Sequence, residues 1–329
     1  VRVKKVVILG NIKSPMGRPE PYSWFVLTYK QGLEMNGIEV IGVDYKSNSL
    51  SQIKQTLIDI NPDVVFTHLS FHSNLRPTHK VLQMQKDVKK QIGCMFIHIM
   101  MDAYKDDRYM GNVSDAFDMA FVSNYEILKR GRKAWGIPTH YSPYASLCYD
   151  EMAKPVKDLS FKEPVFTGSP HLHQDRSDFI KRLLQQMPLR IFQTQSGNDI
   201  RHRTPELSVS ASSILGLCTG YGIDGYKDVR YWQFLGTGAC LIARRFSNTR
   251  DLIPDDMYFG FDGYNNNDVS KVVEYHERSL KEDTTDMRRR AFGFIQKYHN
   301  CKRRIGDVLD VIENDKNLTK DSYNYRNFI

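Results

Sequence analysis

The 329-residue chain carries 46 Lys+Arg against 38 Asp+Glu, a formal net charge of +8. Its 41% hydrophobic and 26% charged residues are ordinary globular usage and exclude a disordered or fibrous chain. No apolar run approaches the ~18 residues of a spanning helix, and at roughly 100–200 residues per domain the length suggests about two domains.

In chain order, Val6–Leu9 is a β-branched apolar run ending at Gly10-Asn11, too short for a secretory h-region and suited to a buried first strand. A Pro/Gly-rich loop containing Gly17 precedes a helix predicted from about Tyr22 to Asn36, stopped by Gly37. IEVIGVDY reads as a strand, and Ser49 or Ser51 caps a helix through Ile60 that Asn61-Pro62 breaks. DVVFTHL is the next strand, followed by a helix over about Thr78–Gln91 and the strongly apolar strand CMFIHIMMD. MAFVSN, a helix over Tyr125–Trp135 and THYSPYA complete the first half. Continuous rather than alternating apolar runs imply strands buried on both faces, hence a parallel sheet flanked by helices.

Residues 149–163 lose the periodicity and are rich in charge, which predicts a linker over 151–163 after a domain spanning 1–150. The alternation then restarts with PVFTGSP, a helix over Ser177–Gln186, and the strands LRIFQTQ and ILGLCTG. A helix over Val229–Gly236, the strand ACLIARR and helices at about 268–280, 284–298 and 303–313 follow, with FDGYNNND read as a loop into an Asp268 cap. The expected architecture is α/β, with two doubly wound domains in series. Ligands of such sheets bind beyond the carboxyl ends of the strands.

Three of those ends carry candidate chemistry. Gly10-Asn11 allows close approach of a ligand, or else is a tight turn after the first strand; neither GxGxxG nor a GxxxxGK[ST] loop is present. Thr167-Gly168-Ser169-Pro170 with Arg176 at a helix start suits a diphosphate, or else is a capped turn beside a surface arginine. On the helix of GYKDVRYWQFLGTG, Arg230, Gln233 and Thr237 form one polar stripe, facing either a ligand or solvent.

Arg230, Gln233, Leu235, Gly238 and Ala239 together resemble the Arg-aromatic-Glu-Ala-Leu-Ala-x-Gly-Ala signature of GT-B glycosyltransferases of the spore-maturation (CgeB-like) type. Gly168, Ser169 and Arg176 resemble the opening of that family's C-terminal domain, and His299 and Arg304 its closing motif. The resemblance covers about 164–312; the N-terminal half is similar only in architecture. It implies two Rossmann-like domains facing across a cleft: an acceptor domain over 1–150, a nucleotide-sugar-binding domain over 164–312, and a tail over 313–329, with a return onto the N-terminal domain as one option. It also implies a nucleotide-sugar co-substrate, UDP-sugar as first choice, and no metal or other cofactor. Gly168, Ser169 and Arg176 would then sit by the diphosphate with Arg230, Gln233 would meet the ribose where the family has glutamate, and Thr219-Gly220 would lie by the base. Gly10 and Asn11 complete the donor-site candidates.

For the base that deprotonates an acceptor, the candidates at strand ends are Asp102 and His98, then His68 and His72. Asp102 ranks first, with a helix N-cap as its structural alternative; His98 alternates with apolar neighbours, as a core histidine does. Asp106-Asp107 is taken as solvated, and His171 with His173 is an inadequate metal site without a third ligand. Cys94, Cys148, Cys218, Cys240 and Cys301 form no CxxC pair, which speaks for a reducing compartment: the cytoplasm, with the inner membrane face as a peripheral option. The segment 278–304, with nine Lys/Arg and three Asp/Glu, could meet an anionic surface or DNA, though such runs are usually solvated helix faces. The expected activity is transfer of a hexosyl or pentosyl group to a glycan, a lipid-linked intermediate, a small metabolite or, as a minority reading, a modified DNA base. The alternative from another class is a non-catalytic nucleotide- or nucleic-acid-binding protein on the same scaffold.

Overall fold

The computed structural model describes residues 2–10, 24–45, 47–67, 79–100, 115–124, 128, 135–157, 160–168, 170–171, 174–192, 204–217, 229–245, 252–314, 316–319 and 321–327. The chain forms two compact units, Val1–Pro143 with Cys301–Ser322, and Tyr144–Asn300 with Tyr323–Ile329. This division differs from the one read along the sequence. The first crossing falls at 143/144, the supposed linker 151–163 belongs to the second unit, and 301–322 belongs to the first.

The first unit runs β1 (Lys5–Gly10), α1 (Trp24–Met35), β2 (Glu39–Asp44), α2 (Leu50–Ile60), β3 (Val64–Thr67), α3 (His79–Ile92), β4 (Met95–Met100), β5 (Met119–Val122) and β6 (Thr139–Tyr141). All pairings are parallel, in the order β2-β1-β3-β4-β5-β6. Helices on both faces bury the central strands, which is why Val6–Leu9 and Val64–Thr67 are apolar or small without alternation. Ser49 caps α2 in a capping box with Gln52, and Asn61 closes the helix in the left-handed region (φ 48°). The predicted helix over Tyr125–Trp135 lies largely outside the described residues.

The second unit runs β7 (Val165–Thr167), α4 (Gln174–Leu184), β8 (Arg190–Phe192), α5 (Thr204–Ser210), β9 (Ile214–Gly216), α6 (Val229–Leu235), β10 (Leu241–Arg244), β11 (Phe259–Phe261), α7 (Asn266–Lys281) and α8 (Thr285–Tyr298). Its sheet is also parallel, ordered β11-β10-β9-β7-β8. Phe166, Phe179, Leu183, Leu215, Ile242 and Phe261 centre its core. Two elements, α5 and β11, have no counterpart in the sequence reading. Helix α4 begins three residues earlier than predicted. The cap of α7 is Asn265, with Asp268 as its capping-box partner rather than the cap itself.

The final helix α9 (Cys301–Asn314) returns to the first unit, burying Ile305, Val308, Leu309 and Ile312. It packs on α1, where Gly32 leaves room: a Cβ there would stand 2.6 Å from the Cys301 carbonyl oxygen and would overlap Ile305.

In the second unit, Ser213 Oγ and His276 Nδ1 lie 3.0 Å apart, both buried. Burial pushes the His276 imidazole below its ordinary 6.5, against the opposing pull of Glu277 and Glu163. The unfolded chain therefore binds the extra proton first as pH falls, so stability is present above pH 6.5 and declines below it. Urea midpoints measured between pH 7.5 and 5.5 should fall with pH, and His276→Gln should flatten that part of the slope.

Candidate functional site

In the second sheet the strand order reverses between β7 and β9, since β8 lies on one side of β7 and β9 on the other. A reversal of this kind opens a crevice at the carboxyl ends of the two strands. Two arginines are anchored at those ends. Arg230 Nε donates to the carbonyl of Thr167, the last residue of β7, at 2.9 Å. Arg176 Nη1 donates to the carbonyl of Leu217, just past β9, at 3.4 Å. Each guanidinium carbon lies 5.8 Å from the centroid of the Phe166 ring, so one buried aromatic carries both cations.

Local sequence explains the placement. Arg176 sits in the first turn of α4, behind the Gly168 turn, and is only 4% exposed. Gly168 itself has φ 134° and donates its N–H to the Phe192 carbonyl at the end of β8 (2.9 Å). Arg230 and Gln233 lie three residues apart on α6, whose Trp232 and Leu235 are fully buried. Gln233 is 7% and Thr237 1% exposed, so these two members of the stripe do not face solvent, while Arg230 is half-buried. Thr237 Oγ1 instead donates to the Gln233 and Phe234 carbonyls (3.1 and 3.0 Å), closing the helix. Behind α6, the His299 ring packs 4.8 Å from Trp232, while Gln296 Nε2 donates to the Gly236 carbonyl (2.8 Å). His299 therefore supports α6 by packing.

The structure thus brings together Gly168, Arg176 and Arg230, with Gln233 on the same helix as Arg230. Gly10 ends β1 in the first unit, its carbonyl accepting from Tyr45 N (3.2 Å). Asn11, Asp102, Ser169, Thr219 and Gly220 lie outside the described residues, as do Gly17, His68, His72, Asp106, Asp107 and His173. His98 lies on β4 and is fully buried, its ring 5.2 Å from Phe117. Sequence reasoning also missed Phe166; the only signal was an aromatic at a strand end, one residue before Thr167-Gly168.

Much of the basic excess at 278–304 is satisfied internally. Arg278 pairs with Glu282 (2.8 Å), Lys281 with Glu277 (3.0 Å), Arg289 with Asp286 (2.8 Å) and Arg290 with Asp256 (3.3 Å). Arg288 Nε donates to the Gly238 carbonyl (2.7 Å), and Arg304 is buried. Among the described residues, no group of three His, Cys, Asp or Glu is arranged to hold a metal ion.

No protein-family model and no curated protein matches the sequence. Solved structures do match over nearly the whole chain. HepE of Anabaena, in complex with UDP and glucose, superimposes with a TM-score of 0.60 at 12% identity, over 93% of this chain and 99% of that one. T4 phage BGT in complex with its UDP-glucose substrate gives 0.61 at 12% identity, over 94% and 98%. An alpha-glucosyltransferase in complex with UDP-glucose and DNA containing an abasic site gives 0.59 at 11% identity, over 94% and 100%. The chain has the GT-B fold. In GT-B terms the two units are its Rossmann-like halves, and the arginine pair lies at the switch crevice of the second.

A buried cation costs desolvation that an apolar side chain of similar length would not. Arg176→Met should therefore leave the urea-unfolding stability unchanged or raise it by about 1 kcal/mol. A large loss of stability would show that Arg176 is a structural anchor only.

Proposed function

We propose that this protein is a glycosyltransferase that moves a hexose from a UDP-sugar to an acceptor hydroxyl. The observation that carries the reading is the pair Arg176 and Arg230, anchored on the ends of β9 and β7 at the switch crevice. Support comes from the GT-B neighbours, several of which are described with UDP or UDP-glucose. The resemblance of the Arg230–Ala239 segment to the spore-maturation type is the finer part of the same reading.

Departure of a nucleoside diphosphate from the anomeric carbon places growing negative charge on the β-phosphate. Two preorganised guanidiniums in a partly dry crevice are suited to neutralise it. On this reading they do so without a metal, although one BGT complex is described with UDP and Mn2+. Gln233 would meet the ribose hydroxyls through its amide, which accepts one hydrogen bond where a carboxylate would hold two with charge. Asp102, two residues beyond the end of β4, is our choice for the base, since His98 is enclosed in the core.

The acceptor in our reading is a glycan, a lipid-linked intermediate or a small metabolite. A hydroxyl on a DNA base is the second reading, favoured by the neighbour solved with DNA. The ion pairs made by basic residues of 278–304 weaken the case for that segment as a phosphate-binding face. We place the enzyme in the cytoplasm; no helix among the described residues is long and apolar enough to cross a membrane. A non-catalytic nucleotide-binding protein is the alternative that Gln233 favours.

In a thermal-shift panel with EDTA present, UDP at about 100 times its Kd should stabilise the protein by about 2.7 kcal/mol. Arg230→Ala should weaken UDP about ten- to hundred-fold, the scale of a lost charged hydrogen bond. If no nucleoside diphosphate stabilises the protein, the donor-site reading fails; if Mn2+ is required, the metal-free reading fails. Slow release of glucose from UDP-glucose would separate an enzyme from a nucleotide-binding protein. Gln233→Glu should change nucleotide affinity or donor choice, and no change in either would remove Gln233 from the ribose.

A further inference from the structure

The Gly168 turn invites the reading that a glycine is present so that a ligand can approach the backbone. The geometry gives it a different occupant. A Cβ built on Gly168 would overlap Nη2 of Arg230, and would stand 3.5 Å from Arg230 Cζ and 3.4 Å from Phe166 Cζ. The space where a side chain would project is filled by the guanidinium of Arg230. That guanidinium is fixed on two further sides, by its Nε bond to the Thr167 carbonyl (2.9 Å) and by the Phe166 ring beneath it. Gly168 is in turn fixed by its own N–H bond to the Phe192 carbonyl of β8. Three successive residues of one strand end, Phe166, Thr167 and Gly168, thus supply a ring, a carbonyl and an open backbone to one arginine.

We infer that Gly168 is a positioning residue whose missing side chain forms the seat of Arg230. This rests on the donor-site reading for its consequence, since a seated guanidinium loses less freedom when an anion binds. It goes beyond that reading by assigning Gly168 to the arginine rather than to the ligand. A methyl group at 168 leaves every charge in place while displacing the guanidinium.

The test is a double-mutant cycle on the full chain with Gly168→Ala, Arg230→Ala and the double variant, measuring UDP affinity by calorimetry and stability by urea unfolding. In the wild-type background Gly168→Ala should weaken UDP binding by about ten-fold, within the loss caused by Arg230→Ala. In the Arg230→Ala background the same methyl should change UDP affinity by less than about two-fold, the limit of additivity for uncoupled sites. Equal losses in both backgrounds would place Gly168 against the ligand and overturn the seat. No loss in the wild-type background would overturn it as well. Because φ at 168 is 134°, the methyl also meets backbone strain, and the stability cycle separates the two effects. If Gly168→Ala destabilises the wild type much more than the Arg230→Ala protein, the overlap with the guanidinium is the cause. Equal destabilisation, or failure of both proteins to fold, would show that the glycine serves φ alone. If UDP binds none of the four proteins, the donor-site reading falls while the stability cycle still decides the seat.

Discussion

A guanidinium taken out of water must find acceptors, and in the second unit those acceptors are carbonyls at the ends of neighbouring parallel strands. Where a ladder stops, the last carbonyls have no further strand residue to pair with, so they are open to a side-chain donor. Register then sets the spacing. Val165 and Phe166 stand opposite Ile214 and Leu215, so Thr167 is level with Gly216 and the Leu217 carbonyl lies one residue beyond. Adjacent strands are about 4.8 Å apart, and that interval fixes where Arg176 and Arg230 can be held. Helices α4 and α6 deliver the two side chains, but the sheet determines where the cations sit.

That arrangement gathers like charges, which a fold optimised for stability alone would avoid. Phe166 offsets part of the cost by presenting its ring to both guanidiniums, and the two carbonyls contribute dipoles of the right sign. The surroundings of the two arginines are firmly built. Trp232 and Leu235 bury the back of α6, the Gly236 carbonyl takes the Gln296 amide, and Arg288 holds the Gly238 carbonyl that follows the helix. Groups that must hold unfavourable charge in place need rigid support.

The parts of this fold that a sequence declares are those decided by local chemistry. Buried strands announce themselves as continuous apolar runs, and helix ends by Ser49, Asn61 and the glycines at 37 and 238, both of which have positive φ. The parts it conceals depend on distant neighbours. Strand β11 is three residues long, and only its pairing with β10 distinguishes Phe259–Phe261 from a loop. Helix α5, with the sequence TPELSVS, has weak helical preference and is held by burying Leu207 and Val209. Helix α9 was legible as an amphipathic helix, yet nothing in its pattern says which unit receives its apolar face; Gly32, far upstream, supplies the fit. The site follows the same rule. Arg176, Arg230 and Gly168 were legible as residue types at strand ends, whereas Phe166 acquires its role only when two helices bring their cations to it.

The charge distribution makes the same point more sharply. Composition concentrates basic residues at 278–304, where several pair with acids one helical turn away and contribute little individually. The two arginines at the switch crevice are 54 positions apart in sequence, and no charge count along the chain would select them. They differ from the dense segment in one physical respect. Carbonyl oxygens at neighbouring strand ends and a shared aromatic face are among the groups that hold them, so their positions are set by the register of the sheet and not by one turn of a solvated helix.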